Sequence, residues 1–233
     1  MNTDYEDFLK RLREERVSIS LSQLELGQAL RMTQSHYSKV ELGTRRLSYY
    51  EMQYLCELNM DMYYIFSGTK SDTEMKCSFV ECSFEELVCY LEVVCSVIMC
   101  LKETGRLKLT AEMLKRIRNI QYVIMPSEKQ KTIFSKLRRT LGYSQMKMAN
   151  ILGVDVKKLR GMEKGKILPD SEIIWRLSEW FCIPYALFLK DKRGLVSEIN
   201  YLLKIIEENK RNAILNGIEI FHGIIQCDTR EIK

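Results

Sequence analysis

The amino-acid sequence predicts an all-α protein built around two similar units. The first observation is a repeat: SQLELGQALRMTQSHYSKVELGTRRLS (22–48) aligns without a gap on SQMKMANILGVDVKKLRGMEKGKILPD (144–170), at an offset of 122. The second is that helix-capping residues and apolar residues at helical spacing recur along the chain. A repeat of this length is most simply explained by two like structural units in one chain.

The repeat keeps residues of distinct chemistry. The coinciding pairs are Ser22 and Ser144, Gln23 and Gln145, Leu30 and Leu152, Glu41 and Glu163, and Gly43 and Gly165. Downstream, YYIF (63–66) lies over YALF (185–188), whereas upstream the match requires three extra residues in the first copy, within RVSIS. We therefore divide the chain into a first domain (1–70), a helical connector (71–127), a second domain (128–192) and a C-terminal helical segment (193–233).

The second copy has the clearer helix boundaries. Ser127 and Gln130 form a capping box after Pro126, which predicts a helix over 128–140. Ser144 predicts the start of a second helix, and Gly153 allows the left-handed turn that ends it at about 152. Further helices are expected at 156–164, 171–181 and 184–190. The second and third would pack across a tight turn as a helix-turn-helix.

The connector and the C-terminal segment are also predicted to be helical. The capping box SFEE (83–86) predicts a helix over 84–103, apolar on most of its circumference and therefore buried. Thr110 predicts the start of another helix, to about 120, and apolar spacing predicts one over 195–208. The apolar stretch 87–101 is too short for a membrane span. The charged start MNTDYEDFLKRLREER is unlike a signal peptide, so we expect a cytoplasmic protein.

Both copies resemble the Cro/C1 (XRE-type) helix-turn-helix family, five-helix DNA-binding domains of phage repressors and bacterial regulators. That family opens its second helix with Ser/Thr-Gln, has Leu-Ala inside it and Gly at the turn, and ends its third helix in Glu-x-Gly with a Pro shortly after. The second copy has SQ, MA (148–149), Gly153, MEKG (162–165) and Pro169. The first has SQ, LG (26–27) and VELG (40–43), but Arg31 at the turn and Leu47 in place of Pro. The resemblance covers 5–68 and 128–191 and implies two such domains, joined and followed by helical segments.

The basic residues are concentrated in the second copy. Residues 129–193 contain fifteen Lys and Arg against six Asp and Glu, a net charge of +9, whereas the segments 1–70, 71–128 and 194–233 carry −1, −2 and −1. Such a concentration of positive charge is typical of a polyanion-binding surface. It fits a solvated basic face equally well, so charge alone does not decide the function.

The resemblance implies that the third helix of each copy enters the major groove of double-stranded DNA. In the first copy the predicted DNA-contacting residues on that helix are Gln34, Ser35, His36, Ser38 and Lys39. Gln23 is expected to contact a phosphate, and Arg45 and Arg46 are expected to contact the DNA backbone. An amide such as Gln34 can donate and accept at once, as bidentate reading of adenine requires.

The second copy presents more charge and fewer amides. Its predicted DNA-contacting residues are Gln145, Lys157, Lys158, Arg160, Lys164 and Lys166. Gly161 also weakens the third helix by about 1 kcal/mol relative to alanine. Two interpretations stay open: the first copy reads bases while the second mainly grips phosphates, or both read bases, with Lys157 contacting guanine.

The glutamate of each repeat requires another explanation, because a carboxylate would repel phosphates. The resemblance implies an ion pair with an arginine of the first helix. With the three-residue insertion, the partners are Arg13 for Glu41 and Arg138 for Glu163. We interpret both pairs as structural.

Cysteine and histidine spacing does not favour a metal site, and we expect neither a metal nor a cofactor. Five of the eight cysteines lie within 77–100 with four to six residues between neighbours, and only His36 and His222 could complete a site. Free buried thiols are the simpler interpretation, although Cys89 and Cys100 share a helix face and would suit a redox or ligand sensor. We expect His222 in the core or an interface, and Trp175 and Trp180 in the core.

The function favoured at this stage is a sequence-specific, repressor-like transcriptional regulator of bacterial or phage type that binds double-stranded DNA, without enzymatic activity. A homodimer would place two recognition helices one DNA turn apart, and the tandem chain could also do so alone. The alternative is a protein-binding effector on the same scaffold, such as an antitoxin or an inhibitor of a host defence protein such as a CRISPR nuclease, that also represses its own promoter. The departures at Arg31, Arg160 and Gly161 keep this alternative open.

Overall fold

In the computed structural model, residues 5–71, 79, 81–125 and 132–228 are described, and the regular elements within them are helices. Their bounds are α1 (Tyr5–Ser18), α2 (Gln23–Ala29), α3 (Gln34–Glu41), α4 (Tyr49–Glu57), α5 (Met62–Ser67), α6 (Phe84–Glu103), α7 (Ala111–Ile124), α8 (Ile133–Thr140), α9 (Gln145–Leu152), α10 (Val156–Glu163), α11 (Ser171–Phe181), α12 (Ala186–Leu189), α13 (Lys192–Leu203) and α14 (Glu208–Asp228). The predicted all-α class is confirmed. No helix in the described part of the chain has both the length and the apolar composition needed to cross a membrane.

The internal repeat reappears in the residues that start the helices. The capping pairs are Ser22 and Ser144 before α2 and α9, Thr33 and Asp155 before α3 and α10, and Ser48 and Asp170 before α4 and α11. In each, a side-chain oxygen accepts a hydrogen bond from the backbone N–H three residues on. Because such a cap is worth about 1 kcal/mol, these helix starts are specified locally.

The turn between the second and third helices is the same in both repeats, although the sequences differ there. Gly153 has φ 67°, and Arg31 at the equivalent position has φ 55°. The next backbone N–H closes the turn in both, from Met32 to the Gly27 carbonyl at 2.9 Å and from Val154 to the Ala149 carbonyl at 3.0 Å. Arg31 therefore adopts the left-handed conformation despite its side chain, at a cost of about 1–2 kcal/mol.

Some predicted boundaries are wrong. The helix expected over 128–140 begins only at Ile133, because Thr132 caps it by accepting the Ser135 N–H. Ser127 and Gln130 lie outside the described residues. The C-terminal segment forms two helices, α13 and α14, instead of one over 195–208, and α7 extends beyond 120 to Ile124.

The tryptophan prediction holds for one residue of the two. Trp175 is buried beside the Tyr5 ring, whereas the predicted core position of Trp180 is wrong, since 49% of it is exposed. The helix α6 packs against α7 and α13, as its apolar composition suggested, but Val93 on its outer face remains exposed. The connector and the C-terminal segment therefore pack on each other through α6 and α13, and they contact the repeats through α7 with α8 and α13 with α5.

The two repeats pack directly on each other through a buried serine. The Ser171 hydroxyl accepts the Leu47 N–H at 3.1 Å and lies 2.7 Å from the Tyr5 hydroxyl, and the Ser171 N–H donates to the Leu47 carbonyl at 2.9 Å. Next to it, the Arg46 guanidinium donates to Glu172 at 2.5 Å. Since Ser171 is fully buried, these bonds hold the start of α11 against the loop that follows α3.

Replacing Arg31 by glycine should raise the free energy of unfolding by about 1 kcal/mol, because glycine adopts a positive φ without the steric cost of a β-carbon. The matched change in the second repeat, Gly153→Ala, should lower it by about 1 kcal/mol. Its new β-carbon would also lie 3.1 Å from the guanidinium carbon of Arg176. Urea denaturation followed by circular dichroism measures both, and a decrease in stability in Arg31→Gly would contradict the assigned strain.

Candidate nucleic-acid interface

A buried glutamate organises the first repeat. Arg16 on α1 donates from Nε to Glu41 Oε1 at 2.7 Å and from Nη1 to the Leu21 carbonyl at 2.6 Å. Gln23 on α2 donates from Nε2 to Glu41 Oε2 at 2.7 Å. Since Glu41 ends α3, this network connects the three helices that surround the turn.

The second repeat contains the same network. Arg138 on α8 donates from Nε to Glu163 Oε1 and from Nη1 to the Tyr143 carbonyl, the latter at 3.0 Å. Gln145 donates from Nε2 to Glu163 Oε2 at 2.7 Å. Burial raises the pKa of Glu163, but the hydrogen bonds from Arg138 and Gln145 outweigh it, so this pKa lies below its ordinary value. The carboxylate is therefore ionised near neutral pH.

The predicted partner of Glu41 is wrong, whereas the predicted Arg138–Glu163 pair is confirmed. Arg13 is exposed, and the ion pair is made by Arg16, which stands 122 residues before Arg138. The repeat thus runs through the first helix without the predicted three-residue insertion. Ser20, with φ 61°, occupies the left-handed position that Gly142 holds in the second repeat with φ 64°. Because serine replaces glycine at this position, the sequence alone did not align Arg16 with Arg138.

The outer face of α3 presents most of the predicted first-repeat residues to solvent. Gln34, Ser35, His36 and Lys39 are exposed, and Ser38 is half-buried. Between them, Tyr37 and Val40 turn inward and are buried. The helix therefore carries an amide, hydroxyls, an imidazole and an ammonium group on one accessible face.

Three predicted phosphate-binding side chains of the first repeat have internal partners. The Gln23 amide donates to Glu41. Arg45 donates to Glu51 at 2.6 Å, and Arg46 donates to Glu172 and to the Gly43 carbonyl. The accessible chemistry of this repeat accordingly lies on α3 and not on the loop that follows it.

The cations of α10 and of the loop that follows it differ in whether they have a partner. Lys157, Lys164 and Lys166 are exposed. Lys158 forms an ion pair with Asp170 at 2.9 Å, and exposed Arg160 donates from Nε to Gln145 Oε1 at 2.9 Å. Gln145 thereby joins Arg160 to the network around the buried glutamate.

The link from Arg160 to the network distinguishes the second repeat from the first. At the offset of 122, the residue equivalent to Arg160 is Ser38, which has a much shorter side chain and no cationic group. The network around Glu163 therefore extends to a charged group on the outer face of α10, and the outer face of α3 carries a hydroxyl at the same place.

Gly161 has a packing role that its helix propensity does not reveal. Its carbonyl accepts the N–H groups of Lys166 and Ile167, as the Lys39 carbonyl accepts those of Thr44 and Arg45 in the first repeat. A β-carbon on Gly161 would collide with the Ile167 side chain. Lys39 of the first repeat is exposed, whereas at the equivalent position of the second repeat the Ile167 side chain covers Gly161.

The described cysteines and His222 belong to parts of the chain other than α3 and α10. Cys89 and Cys100 are exposed on α6, while Cys82, Cys95 and Cys182 are buried. His222 on α14 was predicted to lie in the core or an interface; it is half-buried against α6, with its Nδ1 3.0 Å from the Tyr90 hydroxyl.

The chain matches no family model, no curated protein and no solved structure. The resemblance to Cro/C1 domains therefore remains an expectation from the sequence. The structure shows a duplicated Arg-Glu-Gln network that joins the same three positions in both copies.

Removing Arg16 should destabilise the protein by about 3 kcal/mol, because Arg16→Met strands the buried Glu41 carboxylate. The matched control, Arg13→Met on the same helix, should stay within about 0.5 kcal/mol of the parent because Arg13 is exposed. Urea titration of both variants measures the difference. Equal destabilisation, or a larger effect in Arg13→Met, would contradict the corrected pairing.

Proposed function

We propose that the protein is a sequence-specific regulator of transcription that binds double-stranded DNA through two helix-turn-helix units of the Cro/C1 type. The units are α1–α5 within 1–70 and α8–α12 within 128–192. The observation that supports this best is that one Arg-Glu-Gln network positions α3 and α10 alike, each with a polar or charged outer face. A helix presented in this way fits the width of the DNA major groove.

In this proposal α3 reads bases. Gln34 lies exposed in the first turn of α3, where recognition helices of this type meet base edges. Its amide can form a bidentate pair with adenine, and Lys39 one turn later can reach a guanine or a phosphate. Ser35, His36 and the half-buried Ser38 supply further donors and acceptors on the same face.

In the same proposal the second unit mainly binds the phosphates of the DNA backbone. Lys157, Lys164 and Lys166 are exposed ammonium groups, and Arg160 is oriented by Gln145. Ile167 occupies the position where the first unit offers Lys39, so fewer base-reading groups remain. Base reading by Lys157 at a guanine is the competing assignment for this unit.

One observation favours a second function, the protein-binding effector such as an antitoxin or an inhibitor of a defence nuclease. Met146, at the start of α9, is 66% exposed, and Ile167 and Leu168 are exposed after α10. Exposed apolar side chains of this kind suit a protein surface better than a phosphate backbone. Their basic surroundings would then select an acidic partner.

Selection of random duplex DNA with the full chain tests the proposal. We expect an enriched motif, with the affinity for it reduced about tenfold in Gln34→Ala and Lys39→Ala, because a good bidentate base contact is worth about 1–3 kcal/mol. Gln28→Ala, on the exposed side of α2, is the matched control and should leave the affinity unchanged. If no sequence is enriched, the DNA-binding function is wrong and the protein-binding function replaces it.

The salt dependence of binding tests the division between the two units. Neutralising Lys157, Lys164 and Lys166 together should reduce the slope of log K against log salt by about 0.9 for each phosphate that the protein no longer neutralises, without changing the selected motif. Lys108→Ala, an exposed change in the connector, should leave the slope as it is. A changed motif in the triple variant would instead show that the second unit reads bases.

A further inference from the structure

A cleft of about 270 Å³ lies where the two repeats, the connector and the C-terminal segment meet. Its walls include Arg11 of α1, Arg116 of α7, Ser178 of α11 and Tyr201 of α13. None of the side chains proposed to contact DNA lines it. An apolar cavity of about 150 Å³ can hold a benzene molecule, so this volume accommodates one ring together with a few polar atoms.

Two hydrogen-bond donors on the walls of this cleft lack partners. Arg11 Nη2 and Ser178 Oγ are buried and form no hydrogen bond within the described structure. The Arg11 guanidinium is held in place through its Nε, which donates to the Asp7 carbonyl at 3.1 Å. Buried donors without partners are rare in folded proteins, and an oxyanion is the group that best satisfies a guanidinium and a hydroxyl together.

Two carboxylates on the same walls form no ion-pair contact among the described residues. Glu112 and Glu179 line the cleft, and neither has an ion-pair partner within 4.0 Å among the described residues. By contrast, Arg116 and Glu198 neutralise each other through two hydrogen bonds of 2.7 and 2.5 Å. The Glu179 charge acts on the Arg11 guanidinium although the two groups are not in ion-pair contact. The charged groups on the cleft walls that lie outside an ion pair are therefore one guanidinium and two carboxylates.

The remaining walls are aromatic. Phe66 stacks on Tyr185 with ring centroids 4.4 Å apart, which joins the end of α5 to the start of α12. Tyr63 and Tyr201 line the cleft beside them, and the Tyr201 ring faces the Arg116 guanidinium at 5.5 Å. Such walls favour a planar apolar group.

We propose that this cleft binds a free aromatic α-amino acid. Its carboxylate would accept hydrogen bonds from Arg11 and Ser178, its ammonium group would face Glu112 and Glu179, and its ring would lie against the aromatic wall. Because Arg11 belongs to the first repeat and Ser178 to the second, the ligand would bridge the two repeats. The proposal does not depend on DNA binding.

Isothermal titration calorimetry of the full chain with L-phenylalanine, L-tyrosine and L-tryptophan tests the ligand class. We expect at least one to bind, and we expect 3-phenylpropionate and 2-phenylethylamine, which lack the ammonium and the carboxylate group respectively, to bind at least about tenfold more weakly than L-phenylalanine or not at all. If none of the three amino acids binds at a concentration of about 10 mM, which would detect even a millimolar Kd, the proposal is overturned. Equal binding of L-phenylalanine and either analogue would also overturn it.

Substitution of residues that line the cleft tests whether the amino acid binds there. Ser178→Ala and Glu179→Gln should each weaken binding about tenfold, and Ser178→Leu, which fills the cleft, should abolish it. Arg11→Gln should also abolish it, with Arg13→Gln on the exposed side of α1 as the matched control that keeps the parent affinity. Circular dichroism checks the fold of each variant, and the two Ser178 variants decide the outcome if Arg11→Gln unfolds. Unchanged affinity in both Ser178 variants would contradict this site.

Discussion

A buried carboxylate held by one arginine and one glutamine sets the geometry of each repeat. The arginine comes from the first helix, the glutamine begins the second, and the glutamate ends the third. Arg16, Gln23 and Glu41 therefore fix the angles among α1, α2 and α3. Helices of seven or eight residues have little stability of their own and depend on such tertiary contacts. A buried charge also disfavours alternative packings of the helices, because any rearrangement that removes its partners leaves the charge unpaired.

The second constraint is the contact between the repeats. Ser171 binds the backbone of Leu47, and Arg46 is held by Glu172, so the loop after α3 is used for packing instead of for phosphate contact. The repeats have diverged around this shared framework. The first keeps an exposed amide and Lys39 on α3, whereas Ile167 covers Gly161 on α10. In the proposed function this divergence separates base reading from phosphate binding.

The sequence predicts local features well and distant ones poorly. Side-chain caps lie within three residues of the groups they bind, and the start of α9 after Ser144 was therefore predictable from the sequence alone. The pairing of Arg16 was missed because Ser20 replaces the glycine that would have marked the turn. The cleft could not be predicted, since residues such as Arg11 and Ser178 meet only after four segments of the chain have packed together.

Site-specific photo-crosslinking to the selected duplex would detect the proposed contact of DNA with the outer faces of α3 and α10. A photoreactive amino acid would be placed at Gln34, at Lys157 and, as a control, at exposed Glu57 near the end of α4. We predict crosslinks from positions 34 and 157 and none from position 57. Equal crosslinking from all three positions, or none from position 34 while the protein remains bound to the duplex, would show that these faces do not form the DNA-binding surface.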